Sequence, residues 1–226
     1  NYVLGTDEFG RDILSRLMHG ATNSLRVAVT AVVVAGAIGT ITGTVSAYVG
    51  GITDMVLMRG MDLIFAFPAI LLALFVSAAL GPGLFNTVIA ISIVYLPIFA
   101  RVARGSVLSI KEMDFVEASR CLGATPLRLI LAHILPNALA PSIVQVSLAL
   151  SWAMLTEASL SFLGLGTEPP APSWGLMLSE SRKMMELAPW MAIAPGVAIM
   201  FGVLGFNLLG DGLRDALDPR LQFAKE

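Results

Sequence analysis

The chain has 226 residues, 56% of them hydrophobic and 13% charged, and its mean hydropathy is +0.82. Soluble domains carry roughly 25% charged residues, so a single soluble core is excluded. The formal net charge of −2 gives no basis for a nucleic-acid partner or an anionic surface. Cys121 is the only cysteine, which excludes an internal disulfide and any zinc cluster or redox pair built from thiols.

The first residues, Asn1 to Arg16, are polar and lack the basic start, apolar stretch and cleavage site of a signal peptide, and residues 1–26 read as an outer polar segment. Without an initiator Met, the chain reads as a fragment or processed form. From Asp12 to Leu25, Ile13, Leu14, Leu17 and Met18 recur at helical spacing, which predicts an amphipathic helix lying at the outer membrane interface. Five apolar blocks follow: Val27–Val49, Leu63–Leu80, Asn86–Val102, Ala138–Leu160 and Trp190–Leu209. Each is about the 20 residues that a helix needs to cross a hydrocarbon core, and in lipid the backbone must satisfy its own hydrogen bonds. The blocks therefore predict five transmembrane helices. Gly36, Gly39 and Gly43 allow a neighbouring helix to approach the first of them closely. Pro68 and Pro97 should kink the second and third. Asp54, Arg59 and Asp62 flank the second block, where solvated or capping roles are expected.

Cytoplasmic loops are enriched in Lys and Arg. With five crossings, nine cations (Arg59, Arg101, Arg104, Lys111, Arg120, Arg128, Arg214, Arg220, Lys225) fall on one side, against five (Arg11, Arg16, Arg26, Arg182, Lys183) on the other. The loop at about 103–137 and the tail at about 210–226 are thereby placed in the cytoplasm. The N-terminus and the Gly/Pro-rich loop at about 161–189 face outward. Within the inner loop, Glu112–Leu122 reads as a short helix stopped by Gly123. Thr125 and Pro126 form the N-cap and first position of a second helix, which ends at Pro136. The product is a compact knob suited to a groove on a partner.

Glu117-Ala118-Ser119, then Gly123, then Leu135-Pro136 resembles the EAA loop of ABC importer permeases. His133 departs from the family pattern, which commonly has Ile there, and the run from His133 to Asn137 is similar to the branch that carries dipeptides, oligopeptides and nickel. Three further patches match that branch in order. They are Leu4-Gly5-Thr6-Asp7 with Gly10-Arg11-Asp12; Glu157 to Gly164 with Pro172-Ser173-Trp174-Gly175; and Leu209 to Asp215 with Asp218-Pro219. The resemblance implies an all-α, polytopic transmembrane helix bundle of the type I ABC importer permease class. Five spans would lie in this fragment and six in the full chain, the start being one helix and an outer linker. Residues 27–226 would form the permease domain. The implied coupling loop contains Glu117, Ala118, Ser119, Arg120, Gly123, Ala124, Thr125, Pro126, Arg128, Leu135 and Pro136. Implied partners are a second homologous permease, two P-loop ATPase subunits, an extracytoplasmic solute-binding protein and the lipid bilayer of a bacterial or archaeal cytoplasmic membrane. ATP and Mg would sit on the ATPase subunits, leaving no cofactor in this chain.

The residues agree that ATP is hydrolysed elsewhere, because Lys111, Lys183 and Lys225 all lack a P-loop context. His19 and His133 fall on opposite sides of the membrane, so no joint metal site or catalytic pair is expected. Glu157 is the one carboxylate inside an apolar block. It could line the translocation path, but a structural hydrogen bond near the outer helix end is the favoured reading. Arg120 and Arg128 could meet acidic groups of an ATPase groove or simply hold the knob on the cytoplasmic side. The alternatives are a self-contained secondary transporter or channel, a non-transporting scaffold, and an importer of nickel or another non-peptide solute.

Overall fold

A computed structural model describes residues 2–217. Arg220, Lys225, the Asp218-Pro219 pair and most of the expected tail therefore lie outside the described residues. Those described form helices, turns and one isolated bridge between Thr6 and Asp12. In order they are α1 (Ile13–Val49), α2 (Gly51–Phe65), α3 (Ala69–Leu80), α4 (Leu84–Ile110), α5 (Asp114–Cys121), α6 (Pro126–Arg128), a π-helical turn (Leu129–Ile134), α7 (Leu135–Phe162), α8 (Trp174–Ser181), a 3-10 turn (Arg182–Met184) and α9 (Trp190–Leu217).

Four helical runs are long and apolar enough to cross a membrane: Ile13–Val49, Leu84–Ile110, Pro126–Phe162 and Trp190–Ala216. The second apolar block makes no straight helix. Its helix stops at Phe65, Pro68 caps α3, and α2 and α3 are bent by 90° at this break, the geometry of a broken span or a re-entrant loop. The residue before a proline avoids helical geometry, so Pro68 breaks the segment where a kink was expected. Pro97, by contrast, lies within continuous α4. The predicted interfacial helix also differs, because α1 runs without a break from Ile13 through the whole first block.

Pro136 was expected to end the second helix of the inner loop, and it does not. The helix continues from α6 through the π-turn into α7. There the Leu135 amide bonds the Ile130 carbonyl, five residues back. The wide turn falls immediately before Pro136, which has no N–H to give, and shifts the ladder without ending it. The Asn137 side chain donates to the His133 carbonyl at 2.7 Å.

The chain divides into two compact units. The first comprises residues 1–32, 68–94 and 149–207. Asp12 caps α1 by accepting from the Leu14 and Ser15 amides, both at 3.3 Å. Before it, Asp7 accepts from Arg11 Nε and Arg16 Nη1, both at 2.6 Å, and Arg16 also reaches Glu180 of α8 at 2.7 Å. This clamp ties the N-terminal strap to α8. The N-terminus of α8 has two acceptors: Ser173 Oγ for the Leu176 amide and Ser24 Oγ of α1 for the Trp174 amide, each at 3.2 Å. Trp174 Nε1 donates to the Leu17 carbonyl at 2.9 Å.

The second unit comprises residues 33–67, 95–148 and 208–226. In it α1 and α4 approach through the predicted glycines. A Cβ on Gly43 would stand 2.1 Å from the Ala100 carbonyl oxygen, and one on Gly39 2.7 Å from that of Leu96. One on Gly36 would meet only the Phe99 ring, at 3.6 Å. Charged groups fasten α2 to α4: Asp54 takes a bidentate contact from Arg104, 2.6 Å for each bond, and a short hydrogen bond from Ser46 Oγ of α1. Asp62 meets Arg101 at 2.7 Å.

Two outcomes are expected for the purified protein in detergent. Ala is the better helix former by about 1 kcal/mol. Gly36→Ala should accordingly hold or raise the unfolding temperature. Gly43→Ala must push backbone apart, which outweighs that gain, and should cost about 2 kcal/mol; equal melting of the two variants would refute the close approach. For Asp7, burial alone would raise the pKa. Hydrogen bonds from the Arg11 amide, the Arg11 guanidinium and the Phe9 amide, with the charge of Arg11, together hold it below the usual carboxylate range. Its stabilisation is thus present above the unfolded value of about 3.9 and lost as pH falls through the lower folded value. Asp7→Asn should cost about 2 kcal/mol at neutral pH, with the two melting curves converging as the pH drops below that range.

Candidate functional site

The inner loop forms a rigid knob in the second unit. Met113 precedes α5, and Asp114 and Glu117 stand in its first turn, where the helix dipole favours negative charge. At the other end Gly123 takes φ +82°. Its amide bonds the Arg120 carbonyl at 3.0 Å, and the Ala124 amide bonds that of Ser119 at 3.1 Å. This pair of bonds is a complete Schellman cap, and its left-handed residue is glycine because a Cβ is disfavoured there. The next helix starts at once: Thr125 Oγ1 accepts from the Arg128 amide at 3.4 Å and Pro126 takes the first helical position.

An apolar core holds the knob. Val116, fully buried, packs in one cluster with Ala47 of α1, Val107 and Ile110 of α4, Leu129 and Ile134 of the π-turn and Ala138 of α7. Ala124 packs against the same cluster. Lys111 Nζ donates to the Ala47 carbonyl at 3.0 Å, placing a cation at the C-terminal turn of α1.

The outer face of the knob is open. Leu122 is 89% exposed and Leu127 66%, beside Phe115 and Leu131, which are also exposed. Glu117 and Arg120 form an exposed pair at 2.9 Å within α5, a contact worth under about 1 kcal/mol. Ala118, Gly123, Pro126 and Arg128 are exposed as well, and the guanidinium of Arg128 has no ion-pair partner among the described residues. Ser119 Oγ donates to the Phe115 carbonyl one turn back in the same helix at 2.8 Å. Leu135 and Pro136 sit one turn past the knob, at the start of α7.

Glu157 belongs to the other unit. In the first unit its side chain is buried, and Oε1 accepts from Ser161 Oγ at 2.7 Å. Ser161 Oγ also accepts from the Thr167 amide at 3.3 Å, so that the carboxylate anchors the loop after α7. The Ser24 and Ser173 hydroxyls stand beside the same carboxyl. Sequence reasoning missed the buried position of Val116, the Lys111 contact and both α2–α4 ion pairs. The signal for the last was present: Asp54, Asp62, Arg101 and Arg104 are charges within or beside apolar blocks, where lone charges are costly.

Comparison with known proteins gives a consistent result. The chain is 50% identical over 218 residues to the dipeptide transport system permease protein DppC of Alkalihalophilus pseudofirmus, covering 96% of this chain and 72% of that protein. It is 47% identical over 219 residues to the glutathione transport system permease protein GsiD of Pectobacterium atrosepticum, covering 97% and 73%. Its fold matches a chain of the inward-facing MetNI methionine ABC transporter with a TM-score of 0.72 at 19% identity, covering 91% and 97%. The profile of the binding-protein-dependent transport system inner membrane component family matches residues 22–223. With its apolar helices and this match over most of its length, the chain belongs to that family of multi-pass membrane permeases.

Proposed function

We propose that the chain is one of two permease subunits of an ATP-driven importer that carries peptides delivered by an extracytoplasmic binding protein. The observation that carries the coupling part of this reading is the exposed Leu122 on a knob whose opposite side is locked into the membrane helices. Exposed apolar side chains grouped on one short segment, here Leu122 with Phe115, Leu127 and Leu131, support a docking surface. On this reading Glu117, Ala118, Ser119, Arg120, Gly123, Ala124, Thr125, Pro126 and Arg128 enter a groove of a separate P-loop ATPase subunit, which holds the ATP and Mg. Leu135 and Pro136 carry the motion into α7. Peptide cargo is supported by relatives named for dipeptide and glutathione transport.

Orientation is supported by the division of cations. Arg59, Arg101, Arg104, Lys111, Arg120, Arg128 and Arg214 all belong to the second unit, and Arg11, Arg16, Arg26, Arg182 and Lys183 to the first. By the cytoplasmic enrichment of Lys and Arg, the knob faces the cytoplasm of a bacterial or archaeal inner membrane. Displacing the knob then loads α1, α4 and α7 through the Val116 core. Coupling requires only that the open and closed ATPase arrangements bind the knob with different affinity. Glu157 serves as a structural anchor of the outer loop on this reading and takes no part in the path.

Burying a leucine contributes about 1.5–3 kcal/mol, so Leu122→Glu should weaken ATPase docking about 100-fold while leaving the melting temperature unchanged. Gly123→Ala forces a side chain into left-handed geometry at a cost of about 1–2 kcal/mol. It should lower ATP-driven uptake in proteoliposomes without preventing purification. Uptake at parental rates in both variants, or solute movement by the chain alone without ATP, would refute the assignment.

A further inference from the structure

Two ion pairs join α2 to α4, and they are built differently. Asp54–Arg104 is saturated: the carboxylate accepts both guanidinium bonds and the Ser46 hydroxyl. Asp62–Arg101 is open, with a single contact at 2.7 Å and side chains 49% and 42% exposed. Arg101 lies over the Phe65 ring at 4.2 Å, which holds the guanidinium while leaving most of its five donors unused. One helical turn before Asp62, Arg59 is exposed and has no charged or hydrogen-bond partner among the described residues. The local balance is therefore two cations to one carboxylate.

Arg101 lies nine residues before the end of α4 at Ile110, about 14 Å along the axis, towards the knob end of a helix that is longer than a hydrocarbon core of about 30 Å is thick. Open charges on a membrane-crossing helix face water, a water-filled cavity or a partner, because acyl chains cannot solvate them. α2 has no buried residue at all, so its charged face is free to line such a cavity.

We propose that Arg59, Asp62 and Arg101 form a charged step on the wall of the translocation path, which takes up the terminal carboxylate and ammonium groups of a peptide. This inference rests on the importer reading above. A zwitterion can exchange partners with an internal ion pair, its carboxylate going to Arg101 or Arg59 and its ammonium to Asp62, with the net charge of the site unchanged. The saturated Asp54–Arg104 pair has no such capacity and serves to fix α2.

The test uses the full transporter purified in detergent, with Asp62→Cys and Arg101→Cys each treated with a negatively charged methanethiosulfonate. Modification is located by peptide mass mapping, which distinguishes these positions from native Cys121. Both thiols should react, and a saturating dipeptide with binding protein and ATP should slow the reaction at least threefold. No reaction while a Glu8→Cys control reacts, or reaction unaffected by the peptide, would overturn the proposal. Arg101→Gln should also reduce peptide moved per ATP at least fivefold and Arg101→Lys should recover most of it; equal defects would assign Arg101 a purely structural part. The same preparation shows whether an ATPase subunit co-purifies. Its absence would refute the importer reading, whereas its presence with unreactive thiols would refute only the charged step.

Discussion

Burial of Val116 is the constraint on which the inner face of the protein depends. A short helix of eight residues is marginal alone, because helix nucleation is costly and only tertiary packing repays it. Val116 supplies that packing by seating α5 among the ends of α1 and α4 and the start of the next membrane-crossing run. The Schellman turn at Gly123 and the Thr125 cap then fix the direction in which the chain leaves. Leu122 stands outward because the turn that presents it is fully hydrogen-bonded and cannot fold it back. A hinge-like loop in the same place could bind a partner, but it would dissipate the displacement that, on the proposed reading, this knob passes to three helices.

Charge is scarce in this chain, and the structure disposes of it in distinct ways. The strap of the first unit closes Asp7, Arg11, Arg16 and Glu180 on one another, so that residues ahead of α1 are held against α8. Glu157 spends its buried carboxylate on Ser161, which in turn receives the Thr167 amide. Asp54 and Arg104 satisfy each other with help from Ser46. The arrangements around Asp7 and Asp54 leave their charges compensated at fixed positions, which is the condition for keeping ionised groups away from bulk water, whereas Glu157 has hydroxyl neighbours and no cation among the described residues. Asp62, Arg101 and Arg59 do not follow that rule. Their unused bonding capacity separates a recognition surface from a fastening.

Much of the architecture was legible from residue order alone. Apolar blocks of membrane length located the crossing helices, because lipid admits few alternatives to a self-satisfied helix. Gly123 and the Thr125-Pro126 pair located the turn of the knob, because left-handed geometry and a helix start each demand particular residue types. The small residues Gly39 and Gly43 foretold a close helix pair, although only the contact with Ala100 identified α4 as the neighbour.

Other features depend on what tertiary packing brings together. Asp62 and Arg101 are 39 residues apart in sequence, and Asp54 and Arg104 are 50 apart, so spacing within one helix could not pair them. Pro68 breaks its segment while Pro97 and Pro136 are carried within helical runs; a lost N–H can be absorbed by a register shift or by neighbouring packing, and the local sequence does not record which occurs. Composition and hydropathy determined that this is a polytopic helical membrane protein, since those properties follow from the transfer energies of residues one by one. Which charges are fastened, which remain open, and which face of the knob is left for a partner were decided by the folded chain, because each depends on the distance between residues remote in sequence.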